Sequence, residues 1–156
     1  MHKLINLKSN LAIVAIAIVT ASGIGFTGCK EAPPREQQVE GKVFNDHFPS
    51  AADGFSVTFT SEKKGYSQAT VKKADEEMAI IAVSDLIDDS EAASKYQDAN
   101  EQISGCPVIS RGSQGTAMLV GGRYQISIRS SSDDFSEQDR KEWLSKFDVN
   151  AISALK

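Results

Sequence analysis

TAMLVGGRYQISIR, Thr116 to Arg129, is the stretch that decides the fold. Thr116–Val120 and Arg123–Arg129 flank Gly121-Gly122. A two-residue glycine loop is what a type I′ hairpin turn favours, because both central residues need positive φ. In the second arm Tyr124, Ile126 and Ile128 alternate with Gln125, Ser127 and Arg129. A period of two marks a half-buried strand. The stretch therefore predicts an antiparallel hairpin with one face in a core and the other in water.

Upstream, Phe55, Val57 and Phe59 alternate with Ser56, Thr58 and Thr60, which predicts another strand. Lys63-Lys64-Gly65 reads as a turn and Ser67 to Lys73 as the returning strand. Met78 to Val83 is apolar on both faces, as a central strand covered on each side would be. Asp88-Asp89-Ser90 is expected to open a helix, since acids suit a helix N-terminus. Ala92, Tyr96, Ala99 and Ile103 then form one helical stripe that stops at Gly105, before Pro107. Val108 and Ile109 are expected to form a short strand. Downstream, Ser136-Glu-Gln-Asp139 has the form of an N-cap with an acid three residues on. The helix it opens carries Trp143, Leu144 and Phe147, and Val149, Ile152 and Leu155 return to the core. The expected fold is α+β, an antiparallel sheet of about five or six strands backed by two helices, after a cleaved signal peptide.

The whole chain has 156 residues, 17 Lys+Arg against 21 Asp+Glu, 40% hydrophobic and 24% charged residues. That length predicts one domain. A formal charge of −4 argues against a nucleic-acid-binding module, and the balance of apolar and charged residues against wholesale disorder. The averages hide a contrast. Residues 1–28 contain Lys3 and Lys8 and no acid, so residues 29–156 carry 15 basic and 21 acidic residues, a net −6. MHKLINLKSN is followed by sixteen uncharged residues, Leu11 to Phe26. A positive segment followed by an apolar one is the pattern of a secretory signal. The run is shorter than the roughly 20 apolar residues that span a bilayer.

Phe26-Thr27-Gly28-Cys29 stands directly after that run and resembles the lipobox of bacterial lipoproteins. The resemblance implies signal cleavage between Gly28 and Cys29, with a covalent diacylglycerol on the Cys29 sulfur and an acyl chain on its new amino terminus. Phe26 stands where that family usually has Leu. No other cofactor and no metal site is expected. Cys106 is the only other cysteine, so a Cys29–Cys106 disulfide is the competing reading. Lys30 to Glu40, KEAPPREQQVE, reads as tether, and in polyproline II its eleven residues would span up to about 34 Å. The expected organisation is 1–28 signal peptide, 29–42 lipidated tether and 43–156 a single α+β domain facing the periplasm or exterior. Lys30 at the position after the cysteine leans, by the same resemblance, towards the outer membrane of a Gram-negative cell.

Candidates for chemistry are sparse. His47 lies beside Asp46 and near Ser50, in no recognisable motif. Cys106 reads as a buried thiol. Gly105, Gly112, Gly115, Gly121 and Gly122 match neither the dinucleotide nor the P-loop spacing. The acids from Asp85 to Glu91 lack the register of an EF-hand and suit a helix start instead. Lys63, Lys64, Lys72 and Lys73 would gather if the first two strands formed a hairpin, making a patch for a polyanion, although lysines also guard exposed sheet edges. Arg123 and Arg129, with Arg111 near, are a second candidate patch on the wet strand face. The expected function is a lipid-anchored envelope protein acting as a non-catalytic binding or adaptor module, partnered by the membrane and by an envelope protein or polyanion. A small exclusion or inhibitor lipoprotein is the alternative, and an enzyme is the least supported class.

Replacing Cys29 with Ala is expected to abolish metabolic labelling with palmitate and to leave an unprocessed precursor. Labelling that persists in the variant would refute the anchor.

Overall fold

The computed structural model describes residues 36–156. The expected signal segment, Gly28 and Cys29 lie outside the described residues. Among those described, seven strands form one antiparallel sheet: β1 Phe55–Lys63, β2 Tyr66–Lys73, β3 Glu76–Asp85, β4 Glu101–Ile103, β5 Cys106–Ser110, β6 Gly115–Val120 and β7 Tyr124–Ser130. Their spatial order is β1-β2-β3-β7-β6-β5-β4. Short helices complete the α+β domain: α1 Gly41–Phe44 running into a 3-10 turn, α2 Ser90–Ser94, α3 Glu137–Ser145 and α4 Val149–Ser153. The domain is mostly sheet.

Alternation sorts the side chains. Ala69, Val71, Ile81, Val83, Ile126 and Ile128 point inward and are fully or almost fully buried. Against them pack Phe44 and Phe48 together with Trp143, Leu144, Phe147 and Ile152 from α3, α4 and their junction, and the Phe48 and Phe147 rings meet at 5.6 Å. Burying each such side chain is worth about 1.5–3 kcal/mol, so this inner face is the main source of stability. α3 is opened by a capping box. Ser136 Oγ accepts from the Asp139 N–H, and the Asp139 carboxylate accepts from the Ser136 N–H at 2.8 Å. The Ser136 hydroxyl and then the Ser136 N–H, both donating to the carboxylate, hold the Asp139 carboxyl below its ordinary pKa.

Two expectations fail locally. The helix expected from Ser90 to Ser104 is one turn, α2, and Glu101–Ile103 is a strand instead. Ser104 and Gly105, with φ of 51° and 78°, make a hairpin turn that pairs Ile103 with Cys106. The apparent stripe joined residues of two different layers. Ile103 packs on the inner core, whereas Ala92 and Tyr96 pack with Leu86, Ala117 and Leu119 on the opposite face of the sheet. The β6–β7 hairpin has the expected glycines, with φ of 59° and 70°. Arg123 joins the loop, however, because Val120 pairs with Tyr124 and the Arg123 carbonyl accepts from the Leu86 N–H at 2.9 Å.

Glu36 to Gly41, read from the sequence as tether, lie against the sheet. The Gly65 N–H donates to the Val39 carbonyl at 2.7 Å, and the Val39 N–H donates to Asp85 at 2.9 Å. A Cβ on Gly41 would sit 2.1 Å from the Tyr66 carbonyl oxygen, so only glycine permits this approach. The packed body thus starts before Val43.

Asp85 is the anchor of that end. Its carboxylate has no exposed surface and takes Arg123 in a two-pronged contact, Nε at 2.9 Å and Nη2 at 2.8 Å. Burial works to raise its pKa. The hydrogen bond from Arg123, the N–H groups of Val39 and Ile87, and the arginine charge outweigh it and hold the carboxyl below its ordinary value. The hydrogen bond to Asp85 likewise raises Arg123.

A carboxyl depressed by folding stabilises above its unfolded pKa of about 3.9, and that stabilisation is lost as pH falls through the lower folded value. Asp85→Asn is expected to cost about 3–5 kcal/mol at pH 7, because it removes the buried partner of Arg123 and leaves only the exposed Glu36. Urea unfolding of variant and parent should show that gap closing below about pH 4.

Candidate functional site

The outer face of the sheet is covered only in part. The α2 segment shields Ala117 and Leu119 with Leu86 and Tyr96. Beside it lies an open concavity of about 610 Å³, walled by the β5–β6 loop and floored by β2, β3 and β7. Ile80 and Ala82 supply the apolar floor, Gln68 and Ser127 polar groups, and Arg111 and Arg129 the charge. No carboxylate is among the lining residues.

Gly115 explains how the two arginines meet. It pairs with Arg129 across the β6–β7 ladder, and Arg129 pairs with Ile80 on its other side. The Arg111 N–H donates to the Gly115 carbonyl at 2.8 Å. A Cβ at position 115 would lie 2.5 Å from the Arg111 carbonyl oxygen and 3.0 Å from the Arg111 Cβ. The missing side chain therefore lets Arg111 close down beside the strand position that faces Arg129. Arg111 Nη1 donates to Gln125 Oε1 at 3.2 Å, and the same oxygen accepts from the Tyr96 hydroxyl at 3.0 Å. Burial pushes the Tyr96 hydroxyl up to about 12, so it stays a donor. Arg129 is exposed and forms no ion pair among the described residues.

On the far wall the Tyr66 hydroxyl donates to Gln68 Oε1 at 2.5 Å, and Gln68 Nε2 donates to Thr60 Oγ1 at 3.1 Å. Burial raises the Tyr66 pKa. Behind the β5–β6 loop sits a third arginine, Arg140, only 3% exposed. It is satisfied by neutral groups: Thr116 Oγ1 at 2.9 Å, Ser130 Oγ at 2.7 Å and the Ser113 carbonyl at 3.2 Å. Buried arginines are normally paired with acids, whereas Arg140 makes no ion pair among the described residues.

The sequence candidates scatter. β1 and β2 do form a hairpin, but Lys63 and Lys64 flank its turn while Lys72 and Lys73 stand at its open end. Six residues of strand, about 20 Å, separate Tyr66 from Lys72, so the four lysines make no single patch. Lys63 lies over the Tyr66 ring, Lys73 over the Phe55 ring, Lys64 contacts Gln37 at 3.2 Å, and Lys72 faces Glu77 across the ladder. Arg123 is turned away from the cleft towards Asp85, Glu36 and the Gln37 carbonyl. Arg129 is in the cleft, joined by Arg111. His47 ends the 3-10 turn and does not line the cleft. Cys106 is half-buried against the core, and burial pushes its thiol up. Asp89 caps α2 by accepting from the Ala92 N–H at 2.9 Å.

Sequence reading missed Arg140 because Lys141 and Glu142 beside it suggest a solvated face. The available signal was periodicity. Arg140, Trp143, Leu144 and Phe147 lie at i, i+3, i+4 and i+7, the stripe that a helix buries. Among the described residues no group of three or more His, Cys, Asp or Glu could hold a metal, and no helix is long and apolar enough to cross a membrane. Comparison with protein-family models, curated proteins and solved structures found no match. The site must therefore be understood from its chemistry, which is that of hydrogen-bond donors and cations over an apolar floor.

Gly115→Ala is expected to push the Arg111 loop outward at a cost of about 1–3 kcal/mol. Urea denaturation reads the cost, and amide chemical shifts of residues 111–115 read the displacement.

Proposed function

We propose that this chain is a lipid-anchored protein of the bacterial cell envelope that acts as a non-catalytic binding or adaptor module. A signal peptide ending at Gly28, and Cys29 carrying diacylglycerol and an N-acyl chain, would hold it to the membrane, with the domain facing the periplasm or exterior. Two or three acyl chains are what durable anchorage requires, since one chain binds only marginally. In a Gram-negative cell Lys30 favours the outer membrane.

The cleft on the open sheet face is the observation that carries the binding role. Its volume of about 610 Å³ lies within the range of ligand sites, and its mixed lining suits recognition. Its charge also runs against the rest of the molecule. Residues 29–156 carry a net −6, yet the cleft presents two arginines and no acid. Such a local field draws in anionic partners and repels the many surfaces that resemble the protein's own.

A photocrosslinking amino acid placed at Gln114, on the cleft rim, should yield specific adducts in intact envelopes. The same group at Glu142, on exposed helix surface, should not. Adducts that form equally at both positions, or only at Glu142, would overturn the cleft as the binding face.

A further inference from the structure

We propose that the cleft is an arginine clamp for the phosphomonoester group of a small soluble molecule, whose apolar body lies on Ile80 and Ala82. The inference rests on the binding role proposed above and names its ligand.

Arg123 shows how this fold holds an arginine for structural purposes. Its guanidinium meets a fully buried carboxylate in two hydrogen bonds and takes two further acceptors from Glu36 and Gln37. Arg111 and Arg129 are held differently. They flank one glycine, share one concavity and have no ion-pair partner among the described residues. Arg140 adds a third positive charge at the back of the same loop, through its contact with the Ser113 carbonyl. Like charges brought together without an acid repel, and a bound anion removes that cost.

Charge and shape choose the anion. A phosphomonoester carries about −1.5 to −2 at neutral pH and three acceptor oxygens, which two planar guanidinium forks can share. A carboxylate offers one charge and two oxygens and would leave one fork unmatched. Ser113, Gln114 and Ser127 line the same space and can donate to the remaining oxygens. Ile80 and Ala82 offer a flat apolar surface to whatever the phosphate is attached to. A volume of about 610 Å³ fits a small molecule better than a folded partner. The glycines of this loop take no part as a phosphate loop, since Gly112 serves the turn with φ of 68° and Gly115 serves packing.

The test titrates the full-length chain in detergent micelles with phenyl phosphate, inorganic phosphate, benzoate and benzyl alcohol, read by amide chemical shifts. Phenyl phosphate should bind saturably, with shifts confined to residues 80–82, 111–115 and 127–129. Inorganic phosphate should shift the loop residues alone and bind more weakly. Arg111→Gln and Arg129→Gln should each weaken phenyl phosphate binding about tenfold or more while leaving the remaining spectrum folded. No saturable shift up to about 10 mM, or unchanged affinity in both variants, would overturn the clamp. Benzoate or benzyl alcohol binding as tightly would overturn the phosphate assignment, and tighter binding of phosphatidic acid in the same micelles would overturn the soluble ligand. Crosslinks at Gln114 without phosphate binding would refute the clamp and leave the binding module standing. Phosphate binding without crosslinks would keep the cleft as a small-molecule site and refute an envelope macromolecule as its partner.

Discussion

The carboxylate of Asp85 is the constraint on which one whole end of the domain depends. It lies at the end of β3, has no exposed surface and collects hydrogen bonds from Val39, Ile87 and Arg123. An ionised group there is tolerable only because every lone pair that matters has a donor. In satisfying it, the chain ties the segment around Val39 to β3 and fixes the β6–β7 loop, whose Arg123 carbonyl also accepts from the Leu86 N–H. A buried charge of this kind does little for net stability compared with an apolar pair. Its effect is on arrangement, because any other placement of Val39 or Arg123 leaves the carboxylate in low dielectric without compensation.

The three arginines around the β5–β6 loop show how environment separates residues that look alike in composition. Arg140 is enclosed by hydroxyls and a carbonyl, Arg111 rests partly on Gln125, and Arg129 is exposed and without an ion pair among the described residues. Arg111 and Arg129 line a positive recess in a negative molecule, and Arg140 lies outside that lining. The sheet supplies the geometry: a glycine in β6 permits the loop to close, and the pleat aims Arg129 at the same side as Ile80.

Much of the fold was legible. The β6–β7 hairpin announced itself through paired glycines and strict alternation, and the box at Ser136 through its spacing, because both are local devices read by neighbours two or three residues apart. The segment from Ser90 to Ser104 was misread for a related reason. Its stripe satisfied a helical period, but Ser104 and Gly105 adopt positive φ and hand Ile103 to Cys106, a pairing no helical stripe reveals. The lysine patch failed on length. Residues near a hairpin's turn and residues near its open end belong to one ladder yet stand about 20 Å apart in space.

By itself, the sequence determined the antiparallel sheet, its main turns, the helix capped at Ser136 and the acidic character of the chain, since these follow from residue periods, φ preferences and charge counts. Tertiary structure alone decided which arginine meets an acid and which, among the described residues, has no ion pair. Asp85 and Arg123 are 38 residues apart, Arg123 and Glu36 are 87 apart, and Arg140 meets Thr116 from 24 residues away. Pairings at that range come from strand order and helix docking. The fate of each charge depends on the acid, or the open space, that the fold puts beside it.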